Sequence, residues 1–305
     1  MRKHLLTAIV LMGSVAKSGQ CQTIDTLLDV GGYRLHFRIL KGKGMPILFE
    51  GGSQADVSVW DTILKPVADV THATLITYDR PGDGNSELDT SNHDLDRHGI
   101  LQVIEGLEKG LKKLGYEGDV MLIAHSYGGF CATLYASRHP ATVKAAVLFD
   151  CNQVCFFTDA YVDSAMVERK GLWADAKTRD QHLAQYYQSM NLQRTVALLR
   201  KSPFPATTPV IDLIAGVKPP VWDSVTEARW IDCHHQFAAA QPNRERITAY
   251  GCGHFIFRDN PPLAIGAIAK AYAGTQSGQA ANEITKRFLS YALEAVNEEK
   301  RKEAH

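Results

Sequence analysis

LIAHSYGGF, residues 122–130, carries an apolar run into a serine and then into a pair of glycines. The segment around it, DVMLIAHS (119–126), is short, apolar and abruptly closed, which is the pattern of a strand buried on both faces. CATLYASRHP (131–140) follows with helical periodicity. A buried strand therefore runs through Ser126 straight into a helix. A serine on so sharp a turn points its hydroxyl away from the backbone, and the turn closes only if its neighbours are small.

The same kind of run recurs along the chain. PILFEGG (46–52), ATLITYDRPG (73–82), AAVLFD (145–150), PVIDLIAG (209–216) and RITAYGCG (246–253) are each apolar and each ended by Gly, Asp or Pro. Between most of them lie stretches with helical periodicity, such as DTILKPVADV and GILQVIEGLEKGLKKLGY. Strand-helix alternation predicts right-handed crossovers and an α/β fold with a mostly parallel central sheet flanked by helices. TLLDVGGYRLHFRILKGKG reads as an antiparallel hairpin turning at Gly31-Gly32 ahead of that core. No internal repeat is evident.

One interval breaks the rhythm. From Cys151 to Thr208 there is no strand signal, only helix-compatible sequence with Phe156, Phe157, Tyr161, Trp173, Tyr186 and Tyr187 and a Pro-containing exit. An insertion of this size is read as a helical cap between strands 6 and 7, over the carboxyl edge where open α/β sheets bind ligands. The expected organisation is an N-terminal segment (1–22), a core in two parts (23–150 and 209–274) around the cap (151–208), and a helical extension (275–305) with a charged end.

With 305 residues, 45% of them apolar, the chain can bury a large core. Lys plus Arg and Asp plus Glu each number 33, so the basic surplus that neutralises phosphates is missing and nucleic acid is a poor partner. MRKHLLTAIVLMGSVAKSGQCQ has a basic start, an apolar run from Leu5 to Ala16 and small residues after it. That is the layout of a secretory signal peptide with Ser14-Val15-Ala16 as cleavage site, too short to be an integral membrane span. The chain is accordingly expected to be secreted or periplasmic, where cysteines oxidise. Cys151 with Cys155 and Cys233 with Cys252 are the most local pairs, and connectivity is open. Neither the cysteine spacings nor the histidines of NHDLDRHG match a metal framework, so no metal and no cofactor are expected. The adjacent His234 and His235 read as surface residues.

Ala124-His125-Ser126-Tyr127-Gly128 follows the nucleophile-elbow pattern G-x-S-x-G with Ala at the first small position. Together with FEGGSQADVSVW (49–60), YDRPGDGNSE (78–87) and GCGHFIFRDNP (251–261), in that order, it makes the chain resemble the α/β-hydrolase family from about residue 24 to about residue 273. The resemblance implies Ser126 as nucleophile and His254 as its base. The N–H of Tyr127, just after the nucleophile, and by alignment that of Ser53 would form the oxyanion hole. Glu50 and Gln54 make that loop unusually polar and are candidates for substrate contact. Asp79 and Arg80 are read as an internal ion pair.

The acid stays open at this point. Most family members carry it after the strand that follows the cap, where this chain has Val217, Lys218 and Pro219, with Asp223 and Glu227 farther on. A minority place it one strand earlier, where AVLFD ends in Asp150. Asp150 is the first choice and Asp223 the alternative. The resemblance implies a cofactor-independent serine hydrolase acting on a small-molecule ester or lactone. Alternatives are a proline-iminopeptidase-like peptidase and a non-turnover receptor on the same fold. Haloalkane dehalogenases and epoxide hydrolases of this fold use a carboxylate nucleophile, which Ser126 disfavours.

Overall fold

The computed structural model describes residues 22–303, so the predicted signal segment and Cys21 lie outside the described residues. The hairpin comes first, as β1 (Thr23–Asp29) and β2 (Arg34–Leu40) joined through Gly31-Gly32. Then β3 (Gly44–Glu50), α1 (Asp61–Thr71), β4 (Ala73–Tyr78), α2 (Ile100–Leu114), β5 (Val120–His125), α3 (Gly128–Arg138) and β6 (Val143–Phe149) alternate. Four helices follow between β6 and the next strand: α4 (Asp159–Leu172), α5 (Ala176–Gln181), α6 (Leu183–Met190) and α7 (Leu192–Leu199). β7 (Val210–Ala215), α8 (Ser224–Ala239), β8 (Arg244–Ala249), α9 (Ile256–Asp259), α10 (Pro261–Gly274) and α11 (Gly278–Glu303) complete the order.

The described residues form one eight-stranded sheet in the order β1-β2-β4-β3-β5-β6-β7-β8. β2 is antiparallel to both of its neighbours and every other pairing is parallel. Each apolar run read from the sequence is a strand here; the central parallel strands are covered by helices on both faces and have no solvent side to keep polar, while edge β8 is half-buried. Every residue of β4 and β5 is buried. One apolar layer packs β2, α2, α3 and the inserted helices on one face of the sheet; the other packs α1, α9 and α10 on the opposite face. Burying one such Leu, Ile or Val contributes about 1.5–3 kcal/mol. Of the aromatics in the inserted segment, Phe156 and Phe157 join the first of these layers, and Trp173 and Tyr187 are buried as well.

Two sequence expectations are corrected here. Neither local cysteine pair forms. Cys155, just after β6, is bridged instead to Cys233 on α8, 78 residues away, with a Cα–Cα distance of 5.5 Å. Cys131, Cys151 and Cys252 are free and buried. His234 is fully buried rather than at the surface, because β7 brings Asp212 to within 2.7 Å of its Nδ1.

At the strand-helix junction α3 passes very close to β3. A Cβ on Gly128 would lie 2.2 Å from the Glu50 carbonyl oxygen, a backbone atom that cannot swing aside. Gly128→Ala is therefore expected to lower stability by about 3 kcal/mol, the upper end of overpacking losses. Urea denaturation midpoints of the two proteins measure this.

Candidate active site

Ser126 leaves β5 with φ +54°, a left-handed backbone that costs a non-glycine residue about 1–3 kcal/mol. Three hydrogen bonds hold it there. The Ser126 N–H donates to Phe149 O (3.2 Å), while Ser126 O accepts from Gly129 N (3.0 Å) and Asn152 N (2.9 Å). The hydroxyl stands at the sheet's carboxyl edge, in a cleft of about 420 Å³ lined also by Gly52, Ser53, Gln54 and His254. The N-terminal end of α3 faces the same point with the positive end of its dipole.

His254 sits in the loop after β8, and its Nδ1 is 2.6 Å from Asp150 Oδ2. Asp150 immediately follows β6, with φ +45°, and is 2% exposed. Its other oxygen, Oδ1, accepts from Trp230 Nε1 (3.0 Å) and Ala215 N (3.1 Å). Burial alone would raise the carboxyl's pKa, but the bond to His254 and the amide of Ala215, with Trp230, outweigh it and hold the group below the usual aspartate value. The Asp150 carboxylate is thus kept charged beside the imidazole. Asp223 is elsewhere: exposed, it caps α8 by accepting from Thr226 N (2.7 Å). Glu227 pairs with Lys218 at 3.1 Å. Of the three carboxylates weighed from the sequence, Asp150 is the one bonded to His254.

The loop after β3 is held from behind. Arg80, 4% exposed, donates to the carbonyl oxygens of Gly51 (2.7 Å) and Gly52. Because the Gly52–Ser53 peptide is trans, fixing its carbonyl toward Arg80 turns the Ser53 N–H the opposite way. The Ser53 hydroxyl accepts from Gln188 Nε2 of α6 at 2.6 Å, tying the loop to the inserted helices. Gly52 is confined too, since a Cβ there would come within 2.9 Å of the His125 ring.

The expected Asp79–Arg80 pair does not form. Asp79 instead accepts from Val57 N (2.7 Å) and Asn85 N (2.8 Å) and meets His36 Nδ1 at 2.8 Å, while Arg80 serves the glycine carbonyls and Asp83. Glu50 is not at the cleft either. It is fully buried with its carboxyl accepting from the Tyr78 hydroxyl (2.9 Å), and burial pushes its pKa up to about 7 against the opposing pull of Arg80 and Tyr78.

His125 had no role in the sequence reading, although it fills a variable position of the elbow motif. It is 2% exposed, and its Nε2 lies 3.0 Å from the His254 carbonyl oxygen. A carbonyl can only accept, so Nε2 carries the proton. Burial first, then the neighbouring His254, push the pKa of His125 down to about 3, so it stays neutral and holds the backbone of His254. Trp230 and Gln188 were missed as well, and Arg80 was given the wrong partner. Their contributions depend on partners 80, 135 and 29 residues away, which no local pattern encodes.

The family follows from the sheet and the site together. A profile described as "Alpha/beta hydrolase family" matches residues 48–267, more than half of the chain, and the protein belongs to that family. Among curated relatives, the cis-3-alkyl-4-alkyloxetan-2-one decarboxylase of Shewanella oneidensis is 27% identical over 135 residues, 42% of this chain and 41% of that protein. The chain matches between about a quarter and about half of the length of such relatives. An epoxide hydrolase mutant from Vigna radiata has a similar structure, with a TM-score of 0.61 and 16% identity over 82% of this chain and 98% of that one. A thermophilic esterase from Thermogutta terrifontis has a TM-score of 0.58 and 16% identity over 84% of this chain and all of its own. At such identities the likeness concerns the fold. No described helix is long and apolar enough to cross a membrane.

Glu50 supplies a pH test. Its folded pKa of about 7 lies above the ordinary 4.5, so the native state binds this proton more tightly than the unfolded chain. Stability should therefore fall as pH rises from 4.5 to 7, by on the order of 3 kcal/mol in total. Glu50→Gln should flatten this part of the curve, measured as urea midpoints from pH 4.5 to 8.

Proposed function

We propose that the protein is a serine hydrolase that cleaves a small carboxylic ester or lactone through an acyl-enzyme. The observation that carries this reading is the 2.6 Å contact of His254 Nδ1 with buried, charged Asp150, in the same cleft as the strained Ser126 turn. A serine hydroxyl is a weak nucleophile until a base removes its proton. With Nδ1 occupied by Asp150, Nε2 of His254 is the nitrogen free to take the Ser126 proton as Oγ attacks the acyl carbon. Asp150 stabilises the imidazolium that forms. The N–H groups of Ser53 and Tyr127 receive the oxyanion, the first oriented through Arg80 and the second by the start of α3. His254 returns the proton to the leaving alcohol, then activates the water that releases the acid.

Helices α4–α7 form the cap of this reading. The Cys155–Cys233 bridge supports the export expected from the N-terminal segment, because such bonds persist in oxidising compartments.

Exposure to a fluorophosphonate followed by peptide mapping tests the reading. Modification is expected at Ser126 and is expected to vanish in Ser126→Ala and to be lost in His254→Ala. A folded protein that resists the reagent entirely would refute it. On an ester substrate, Asp150→Asn should lower kcat by about 10⁴-fold with little change in the melting temperature, while Asp223→Asn should leave kcat near that of the parent.

A further inference from the structure

Both oxygens of Asp150 are in use. Oδ2 meets His254, and Oδ1 is fixed by the Ala215 amide, which belongs to the sheet, and by the indole N–H of Trp230, which does not. Trp230 comes from α8, a helix that begins beyond β7, and it is 6% exposed among Phe156 (ring centroids 5.1 Å apart) and Trp222 (5.2 Å). Cys233 is three residues farther along α8, on the same helix face. Cys155 is five residues beyond Asp150. The bridge between them closes a small ring that runs from the carboxylate through Cys155, across the two sulfurs, along one turn of α8 and back through the indole hydrogen bond. Cys233 is buried but Cys155 is exposed, so the bridge lies at the edge of the packed core rather than inside it.

We propose that Trp230 is a positioning residue for Asp150, and that the Cys155–Cys233 bridge keeps it in place, so that the reactivity of the site depends on the bridge being oxidised. The inference rests on the hydrolase reading above, in which Asp150 orients His254. A dithiol can break the bridge: it supplies two electrons and two protons, leaves two thiols on the protein and closes to its own disulfide. α8 then has no covalent tie to the segment after β6 and is held there by the indole bond, by Arg229 over the Phe156 ring and by packing. The indole N–H no longer has a fixed distance to Oδ1, and the carboxylate can rotate away from Nδ1. Cys131, Cys151 and Cys252 are already free and buried, so among the described residues the reductant acts on one bond.

The test compares the full chain oxidised, the same protein treated with dithiothreitol, Trp230→Phe, and the double variant Cys155→Ser, Cys233→Ser. Three quantities are read: the rate of Ser126 labelling by a fluorophosphonate, kcat and KM on p-nitrophenyl acetate, and the low-field proton resonance of His254 Nδ1–H. Labelling and kcat should fall about tenfold or more in the reduced protein and in Trp230→Phe, with KM changed less than twofold. The double variant should start at the reduced rate and ignore dithiothreitol. In each slowed form the resonance should move upfield or broaden, which a merely structural loosening elsewhere would not cause.

An unchanged rate and resonance in Trp230→Phe would overturn the role of Trp230. A reduced protein that keeps the rate and resonance of the oxidised one would overturn the dependence on the bridge. If Trp230→Phe does not fold, the reduction and double-variant arms decide the question at temperatures below their own melting points. If the oxidised parent is never labelled and never turns over, the hydrolase reading fails, and the resonance still reports whether the indole and the bridge hold Asp150 against His254.

Discussion

The left-handed backbone at Ser126 is the constraint around which the carboxyl edge of the sheet is built. A non-glycine residue rests in that conformation only when its surroundings leave no alternative. Here the surroundings are the carbonyl of Phe149 on one side, the amides of Gly129 and Asn152 on the other, and the approach of Gly128 to the backbone of Glu50. The same approach seats the start of α3 against the loop after β3. Serine hydroxyl, helix end and loop amides are thereby brought to one cleft by a single turn.

Around that turn each group in the cleft is fixed by something behind it. Arg80 grips two carbonyl oxygens so that the following amide faces outward; His125 carries the carbonyl of His254; Trp230 and Ala215 hold Asp150. These supports are buried, and burial determines their charge states. His125 is kept neutral because an imidazolium there would be desolvated beside another histidine. Asp150 stays ionised because hydrogen bonds to the anion exceed the desolvation penalty, whereas at Glu50 desolvation is the larger effect. Two buried carboxyls a short way apart in the fold differ in this way because of the donors each one faces.

The inserted segment between β6 and β7 touches the cleft through specific side chains. Gln188 reaches the Ser53 hydroxyl, and the Cys155–Cys233 bridge ties the beginning of the insertion to α8. The positions of α6 and α8 therefore bear directly on the loop after β3 and on Asp150, which is how a site made mostly of core residues comes to depend on helices outside the sheet.

From its sequence alone this chain could be read as an alternating α/β sheet, with each strand located, the hairpin at Gly31-Gly32 and a serine turn at 126. These rest on local information: apolar runs of strand length, helical periodicity, and small residues where backbones meet. What the local pattern left open, or misassigned, were partnerships across the fold. Asp150, Asp223 and Glu227 have similar chemistry and plausible spacing; Asp150 alone among them meets His254, because β6 ends beside the loop after β8. Cys155 skipped its near neighbour for Cys233, His234 was buried against Asp212, and Arg80 passed over Asp79 for the Gly51 and Gly52 carbonyls. The physical reason is common to all four. Sheet order brings distant segments within bonding distance, and the energy of a buried pair depends on that distance and on desolvation, neither of which is written in sequence spacing.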